Sequence, residues 1–216
     1  MKYKAVLFDF DGVIGRTTED NYLAWARAFR AVGIRLGKKD YFLNEGLDPS
    51  GVAVRELAKN GRPADQAGAI INLKEKFYRQ NNRFKVYPGI PGLVRKMKQK
   101  YKLAVVTGAG RERFNKTMPA GLRRCFSVLV SGGEAAKPKP SPEPYLAAAR
   151  KLRVSEADCL VVENAPLGIE AAKKAKMACV AITSTLAGKW LSRADYIVKD
   201  VKELGELIEK LEKVQG

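Results

Sequence analysis

The chain has no histidine among its 216 residues and only three cysteines. Without histidine, a Ser-His-Asp or Cys-His mechanism and any metal site with histidine ligands are excluded. Three cysteines with no Cys-x-x-Cys spacing argue against a disulfide framework and a zinc site, and they favour a reducing cytoplasm. We therefore expect buried free thiols at Cys125, Cys159 and Cys179.

Long hydrophobic runs are lacking as well. No apolar run approaches the roughly 20 residues that a membrane-spanning helix needs. The short apolar stretch near the N-terminus is interrupted at Asp9 and Asp11, which does not fit a secretory signal peptide. With 46% hydrophobic and 29% charged residues, the composition fits one sizeable globular domain, or a core domain with a smaller insertion. We expect a cytoplasmic protein with no membrane partner.

Acidic residues are scarce relative to basic ones, with 23 Asp and Glu against 40 Lys and Arg and a net charge of +17. Such an excess fits nucleic acid, an acidic membrane or an anionic small substrate as partner, and it also fits a merely solvated, charged surface. Because no aromatic-interleaved stripe accompanies the basic residues, we expect a solvated surface and no specific nucleic-acid partner. The densest groups are Arg95, Lys96, Lys98, Lys100 and Lys102, then Arg111, Arg113, Lys116, Arg123 and Arg124.

Short apolar runs of strand length recur along the chain, with helical patterns between them. Near-continuous Val and Leu runs, rather than alternating ones, are typical of strands covered on both faces, as in a parallel sheet. With amphipathic segments at 93–102, 144–152 and 167–177, the pattern predicts an α/β fold with a doubly wound parallel sheet and a Rossmann-like core. The predicted strands are Ala5–Phe8, Leu103–Val106, Val128–Val130, Leu160–Val162, Cys179–Ile182 and Tyr196–Val198.

The strand rhythm is interrupted between the first predicted strand and Pro88. Helical patterns over 17–32, 51–60 and 65–81 fill this stretch, and no strand-like run of comparable strength falls in it. The sequence therefore predicts a small α-helical domain over residues 16–85. It is inserted into a Rossmann-like core made of residues 1–15 and 86–216.

Two carboxylates, Asp9 and Asp11, follow the first predicted strand, and Thr107 and Gly108 follow the second. Because ligands bind beyond the carboxyl ends of parallel strands, these residues should lie at one edge of the sheet. They could be ordinary turn residues. Their chemical interpretation is a nucleophilic carboxylate with a second one for acid–base work, and a hydroxyl with backbone amides that bind a phosphoryl oxygen.

Polar residues also lie in the loop after the third predicted strand and at the end of the fourth. Lys139 lies among prolines, either in a plain surface linker or in a stiffened loop that delivers one ammonium to an anion. Asn164, before Pro166, has the pattern of a helix N-cap. Together with Glu163 it could also supply oxygen ligands for Mg²⁺, and both roles are compatible.

The order of these motifs resembles the haloacid dehalogenase-like hydrolase superfamily, in its phosphatase and β-phosphoglucomutase-like branch. The similarity extends from VLFDFDGVI through KPSPEPYLAAARKL to VVENAPLGIEAAKKAKM. In that family, the helical insertion is a cap domain that closes over the active site and contacts the substrate. Candidate cap contacts here are Asn21, Arg55 and Arg16, while the cap aromatics Tyr22, Trp25, Phe29, Phe77 and Tyr78 are expected mostly to form the cap's own core.

The resemblance implies a reaction through an aspartyl phosphate. Asp9 would attack phosphorus, and Asp11 would protonate the leaving oxygen and then activate water. Lys139, which matches the family register better than Lys137, would neutralise the charge of Asp9 and phosphate. The remaining implied roles are phosphoryl binding by Thr107 and the Gly108 amide, and Mg²⁺ coordination by Asp9, the Asp11 backbone carbonyl, Glu163 and Asn164.

Two departures from the family pattern affect this interpretation. Many members carry a second acid where Asn164 stands, and an amide oxygen is a weaker ligand unless Glu163 supplies the charge. The cap histidine of β-phosphoglucomutase would fall at Asn21, so a mutase's proton shuttle is missing. We predict a Mg²⁺-dependent phosphatase for a small metabolite of the phosphoglycolate, sugar phosphate or nucleotide type. The alternatives are β-phosphoglucomutase-like phosphoryl transfer and a nucleic-acid-binding protein on a hydrolase scaffold.

Overall fold

Six parallel strands form one sheet at the centre of the molecule, in the order β3-β2-β1-β4-β5-β6. The structure, a computed structural model, describes residues 3–81 and 84–213. The strands are β1 (Ala5–Phe8), β2 (Lys102–Val106), β3 (Val128–Val130), β4 (Cys159–Glu163), β5 (Ala178–Ile182) and β6 (Tyr196–Val198). All six predicted strands are confirmed, and β1 lies between β2 and β4.

A helical insertion follows β1. Its helices are α1 (Thr18–Arg30), α2 (Lys38–Leu43), α3 (Pro49–Lys59) and α4 (Ala67–Asn81), with a 3₁₀ turn at Ala64–Gln66. The three predicted helices of this stretch are α1, α3 and α4. Helix α2 has six residues, too few to show the helical period of 3.6 residues in the sequence.

The helices of the core flank the sheet. They are α5 (Ile90–Met97), α6 (Arg111–Thr117), α7 (Ala120–Arg123), α8 (Glu143–Leu152), α9 (Pro166–Lys174) and α10 (Val201–Lys213), with 3₁₀ turns at Glu156–Asp158 and Gly188–Trp190. The sequence predicted α5, α8 and α9 and missed the other three. Among the described residues, no helix combines the length and apolar character needed to cross a membrane.

Both faces of the sheet are covered by apolar side chains. In β1, Leu7 belongs to a hydrophobic cluster with Tyr145 of α8, while Phe8 belongs to a second cluster with Ile90 of α5 and Leu204 of α10. This burial on two faces explains the near-continuous apolar runs, because alternate residues of each strand point into different clusters. The three cysteines are free and buried, as expected.

The two chain segments that join the insertion to the core run side by side. The Arg16 N–H donates to the Lys85 carbonyl at 2.8 Å, and the Tyr87 N–H donates to the Ile14 carbonyl at 2.9 Å. These hydrogen bonds bring the start and the end of the predicted insertion together. The insertion is thereby placed over the carboxyl end of β1.

Candidate active site

Asp9 directly follows the central strand β1. Its N–H donates to the Val162 carbonyl of β4 at 2.9 Å, which holds the backbone against the neighbouring strand. Its Oδ1 accepts a hydrogen bond of 2.7 Å from the Lys139 ammonium. Burial raises the pKa of Asp9 to about 8, and the opposing effect of Lys139 does not cancel it. The carboxyl is therefore desolvated beside a single fixed cation.

Lys139 lies in the loop after β3, and its ammonium bridges two carboxylates. Its ammonium donates to Asp9 and, at 2.6 Å, to Oε1 of Glu163, and the residue is 3% exposed. Burial by itself disfavours the charged ammonium, but the carboxylates of Asp9 and Glu163 outweigh it and raise the pKa of Lys139. Lys137, the alternative in the sequence, is exposed. Lys139 is therefore the cation that the proline-rich loop brings to Asp9.

Both carboxylate oxygens of Glu163 are engaged within the protein. Oε1 accepts from Lys139 and from the Tyr145 hydroxyl at 2.7 Å. Oε2 accepts the N–H groups of Asn164 at 2.9 Å and Ala165 at 3.2 Å, just before α9 begins at Pro166. Glu163 thus anchors Lys139 and the start of α9. Sequence analysis missed Tyr145 because this residue falls within an ordinary amphipathic helix pattern.

Asn164 is fully buried and leaves one polar atom without a partner. Its Nδ2 donates to Oε2 of Glu45 at 3.2 Å and to the Thr185 hydroxyl at 3.1 Å. Its Oδ1 has no hydrogen-bond partner within the described part of the chain. Glu45 comes from the α2–α3 loop of the insertion and was also missed. The two acceptors fix the amide so that its oxygen remains available to a ligand.

Asp11 is held by three donors that converge on one oxygen. Its Oδ1 accepts from the Thr17 hydroxyl, from Nδ2 of Asn21 at 3.1 Å, and from the Arg113 guanidinium at 2.5 Å. The insertion thus brings Asn21, one of the candidate cap contacts, to Asp11. For Arg113, however, the expectation of a solvated position was wrong. Its side chain is only 15% exposed, because α6 places it between Asp11 and the insertion.

Thr107 and Gly108 form the turn after β2. The Thr107 hydroxyl oxygen accepts the Ala109 N–H at 3.0 Å, which leaves its own hydrogen available for donation. The Thr107 N–H donates to the Val130 carbonyl of β3, which fixes the end of the strand. Gly108 lines the same cavity as Asp9. The predicted phosphoryl-binding turn therefore lies at the sheet edge beside Asp9.

A cavity of about 560 Å³ lies between the insertion and the carboxyl edge of the sheet. The predicted site residues that line it are Asp9, Asp11, Asn21, Gly108 and Glu163, and its apolar walls include Trp25, Tyr41, Leu47, Val52, Ile71 and Tyr78. Of the five cap aromatics, Trp25 and Tyr78 therefore contribute to the cavity as well as to packing. Lys74 also lines it, 1% exposed, with its ammonium 2.8 Å from Glu75. Burial lowers the pKa of Lys74.

Two predicted cap contacts are not brought to this cavity. The guanidinium of Arg55 pairs with Asp40, at 3.0 Å and 3.1 Å, and Arg55 is not among the cavity-lining residues. Arg16 lies where the insertion joins the core, with its guanidinium 5.8 Å from the ring centroid of Tyr87. Among the candidate cap contacts, Asn21 is the one that the structure places beside the carboxylates.

Comparisons with known proteins agree with the fold. A family model of haloacid dehalogenase-like hydrolases matches residues 6–182. The chain is 29% identical to a validoxylamine A 7'-phosphate phosphatase of Streptomyces hygroscopicus subsp. limoneus, over 94% of this chain and 96% of the relative. It is 30% identical to a β-phosphoglucomutase of Bacillus subtilis (strain 168), over 93% and 91% of the two chains.

A solved structure described as a putative β-phosphoglucomutase from Bacteroides vulgatus superposes with a TM-score of 0.88 at 25% identity, covering 98% of this chain and 89% of that one. These matches confirm the doubly wound fold with its inserted cap, and the prediction of a phosphoric monoester hydrolase at the level of reaction class. The chain belongs to the haloacid dehalogenase-like hydrolase family, in the branch that contains phosphatases and β-phosphoglucomutases.

Proposed function

We propose that the chain is a Mg²⁺-dependent phosphatase that hydrolyses a small phosphorylated metabolite through an aspartyl phosphate on Asp9. The observation that carries this proposal is the pair Asp9 and Asp11 at the end of the central strand. Both line a cavity beneath the cap, and Lys139 lies 2.7 Å from Asp9. A nucleophilic carboxylate and an anionic phosphate can approach each other only with cations between them.

In the first half-reaction, a carboxylate oxygen of Asp9 attacks phosphorus. Lys139 donates to Oδ1, and Oδ2 accepts no hydrogen bond from the described residues, so Oδ2 is the nucleophile in this proposal. The bond between phosphorus and the ester oxygen breaks as the new one forms. Asp11 gives a proton to the departing oxygen, so that an alcohol leaves. The Thr107 hydroxyl and the Gly108 amide would hold the transferred phosphoryl group.

In the second half-reaction, water attacks the phosphorus of phosphorylated Asp9. Asp11, now a carboxylate, accepts the proton of that water. The bond between Asp9 and phosphorus breaks, and inorganic phosphate and the free carboxylate of Asp9 are regenerated. The cap helices cover the cavity, which limits the entry of other water.

The residues present offer a magnesium ion three kinds of oxygen ligand: a carboxylate, a backbone carbonyl and a side-chain amide. The unpartnered, fully buried Oδ1 of Asn164 is the supporting observation, because a buried polar atom without a partner calls for a ligand. The described residues contain no group of three acidic, histidine or cysteine side chains suited to a metal. Asp9, the Asp11 carbonyl and Asn164 would therefore hold the ion, while the Glu163 carboxylate stays hydrogen-bonded to Lys139. Bound Mg²⁺ supplies positive charge that offsets the nucleophile and the phosphate.

The cavity supports a substrate of sugar-phosphate size. Its volume of about 560 Å³ lies within the usual range for small-molecule sites. The aromatic walls at Trp25, Tyr41 and Tyr78 offer flat apolar faces to a ring, and the buried ammonium of Lys74 offers a donor. One similar protein is described as a phosphatase of validoxylamine A 7'-phosphate and another as a β-phosphoglucomutase. Of the three predicted substrate types, we therefore favour a sugar phosphate.

Hydrolysis is favoured over a mutase reaction by the residue beside Asp11. A mutase moves a proton between Asp11 and a second sugar hydroxyl, for which the related enzymes have a cap histidine. Here, Asn21 occupies that position and donates its amide to Oδ1 of Asp11. Unlike imidazole, an asparagine amide does not titrate near working pH, so it cannot act as an acid–base group. With a β-sugar 1-phosphate, we expect release of inorganic phosphate and no isomerised product.

Phosphate release from p-nitrophenyl phosphate, followed by a panel of phosphorylated metabolites, tests the proposal. We expect activity with Mg²⁺, loss of activity with a chelator, and a fall in kcat of at least about 1,000-fold in Asp9→Asn. The matched control is Asp158→Asn, at a partly exposed aspartate paired with Lys4, which should retain full activity. Circular dichroism checks that Asp9→Asn is folded. Substantial activity in that variant would overturn the nucleophile assignment.

A further inference from the structure

Only one oxygen of the Asp11 carboxylate accepts hydrogen bonds from the described residues. Thr17, Asn21 and Arg113 all donate to Oδ1, whereas Oδ2 accepts no hydrogen bond from the residues that the structure describes. One oxygen is thus an anchor and the other is free to carry the proton that the reaction moves. Arg113 is the charged member of the three donors, and it alone comes from the core side of the cavity.

The guanidinium of Arg113 also contacts two helices of the cap. Its Nη1 donates to Oδ1 of Asn21 in α1 at 3.1 Å, and its central carbon lies 4.6 Å from the ring centroid of Tyr78 in α4. Tyr78 is 3% exposed, so the arginine is stacked against a buried ring, where the cation–π attraction is strongest. The orientation of Arg113, and with it that of Asp11, therefore depends on contacts with the cap as it is docked in the structure.

The charge of Arg113 favours one form of its partner. A guanidinium is positive at every working pH, and its strongest bond is to a carboxylate rather than to a neutral acid. Asp11 is a carboxylate after it has given its proton to the leaving oxygen, which is the form that then accepts a proton from water. Arg113 is thus matched to the second half-reaction more than to the first.

We propose that Arg113 is a positioning residue that couples cap closure to the orientation of Asp11, and that it acts mainly in the hydrolysis of phosphorylated Asp9. This inference rests on the proposed phosphatase reaction. In the step concerned, a water oxygen forms the new bond to phosphorus and the bond from Asp9 to phosphorus breaks. The water proton passes to Oδ2 of Asp11, while Arg113 holds Oδ1 in place.

Rapid-mixing kinetics with p-nitrophenyl phosphate separate the two half-reactions. Release of p-nitrophenol reports the first, and release of phosphate reports both. In Arg113→Met, we expect a burst of about one p-nitrophenol per active site, followed by turnover slowed by about 100-fold, the usual size of a general-base contribution. Because kcat/KM reports steps up to the first irreversible one, kcat and KM should fall together and leave kcat/KM nearly unchanged.

The matched control is Arg111→Met, which removes an exposed arginine of the same helix that pairs with Glu134. It should behave as the wild type. Arg113→Lys keeps a charge but not the fork of donors, so it should show the same pattern in weaker form. If Arg113→Met does not fold, Arg113→Lys alone decides the question through the split between kcat and KM.

A fall in kcat/KM equal to that in kcat, or unchanged kinetics in both variants, would overturn the inference. Failure of the proposed function would look different. In that case, the wild type would release neither p-nitrophenol nor phosphate under the same conditions. The wild-type trace therefore distinguishes an error about Arg113 from an error about the reaction itself.

Discussion

At the scale of single residues, the site depends on one buried ammonium between two buried carboxylates. Lys139 lies 2.7 Å from Asp9 and 2.6 Å from Glu163, and the Lys139 side chain is 3% exposed. A buried ion pair adds little over apolar packing, but removing one partner leaves an uncompensated charge, which is costly. Without Lys139, the carboxylates of Asp9 and Glu163 would repel each other in a desolvated site.

Lys139→Ala should therefore lower both stability and activity. We expect a loss of about 3 kcal/mol in the free energy of unfolding, from the buried charges that remain. We expect at least about a 100-fold fall in phosphate release, from the missing cation at Asp9, the proposed nucleophile. Lys137→Ala is the matched control, because that lysine is exposed and should be neutral in both measurements. Urea unfolding and p-nitrophenyl phosphate hydrolysis give the values, and equal effects of the two changes would contradict the assignment.

The residues found from the sequence differ in a physical way from those that were missed. Asp9, Asp11 and Lys139 are specified locally, by a strand end and by a proline-stiffened loop, so their positions follow from the sequence around them. Glu45 reaches the site only because the cap docks on the core. Arg113 reaches Asp11 from α6, a core helix of seven residues that the sequence pattern did not predict, so an arginine in this basic stretch looks solvated from the sequence.

At the scale of elements, the first turn of α9 is shaped around the carboxylate of Glu163. A Cβ on Gly168 would lie 1.8 Å from Oε1 of Glu163, which is far inside any real contact. Glycine at this position therefore lets the helix start over the carboxylate that anchors Lys139. The sequence suggested an N-cap at Asn164 and metal ligation by Glu163 and Asn164, whereas the N-cap of α9 is Ala165, with no side-chain hydrogen bond. The crowding at Gly168 was missed because it depends on a side chain five residues earlier in the chain.

Gly168→Ala should destabilise the protein although alanine is the better helix former. Helix propensity alone favours alanine by up to about 1 kcal/mol, whereas overpacking of this kind costs about 1–3 kcal/mol. Displacement of Glu163 would also move Lys139, and a misplacement of about 1 Å can cost about 100-fold in rate. Gly68→Ala, in the first turn of α4 with no atom within 4 Å of the added Cβ, is the control.

We expect Gly68→Ala to be neutral or slightly stabilising and fully active. Urea unfolding and steady-state hydrolysis of both variants test the pair. A stable and active Gly168→Ala protein would show that Glu163 can move without harm. That result would contradict its role as the anchor of Lys139.

Sequence patterns predicted the strands, which are buried on both faces, and most of the longer helices. The six strands lie between two apolar clusters and have near-continuous apolar sequences. Helices α2, α6 and α7 have six, seven and four residues, so their sequences carry fewer than two full turns of pattern. Helix α10 was missed although its apolar residues at 204, 207, 208 and 211 follow helical spacing.

At the scale of the whole molecule, the reaction centre is assembled from two parts of the chain. The core contributes Asp9, Asp11 and Lys139 at the edge of the sheet, and the cap contributes Asn21 and the wall of the cavity. In this arrangement the cap does more than cover the cavity, because Thr17 and Asn21 of the cap also donate to Oδ1 of Asp11, the acid of the proposed reaction.

Trapping the covalent intermediate on Asp9 tests the proposed reaction most directly. The enzyme is mixed with Mg²⁺ and a substrate identified in the metabolite screen, quenched in acid within one turnover, and analysed by intact mass and peptide mapping. We expect a protein fraction that is heavier by one phosphoryl group, mapped to the peptide that contains Asp9, and we expect this fraction to be absent in Asp9→Asn. Turnover by the wild type with a phosphoryl group on another residue, or with none at any quench time, would contradict the proposed reaction.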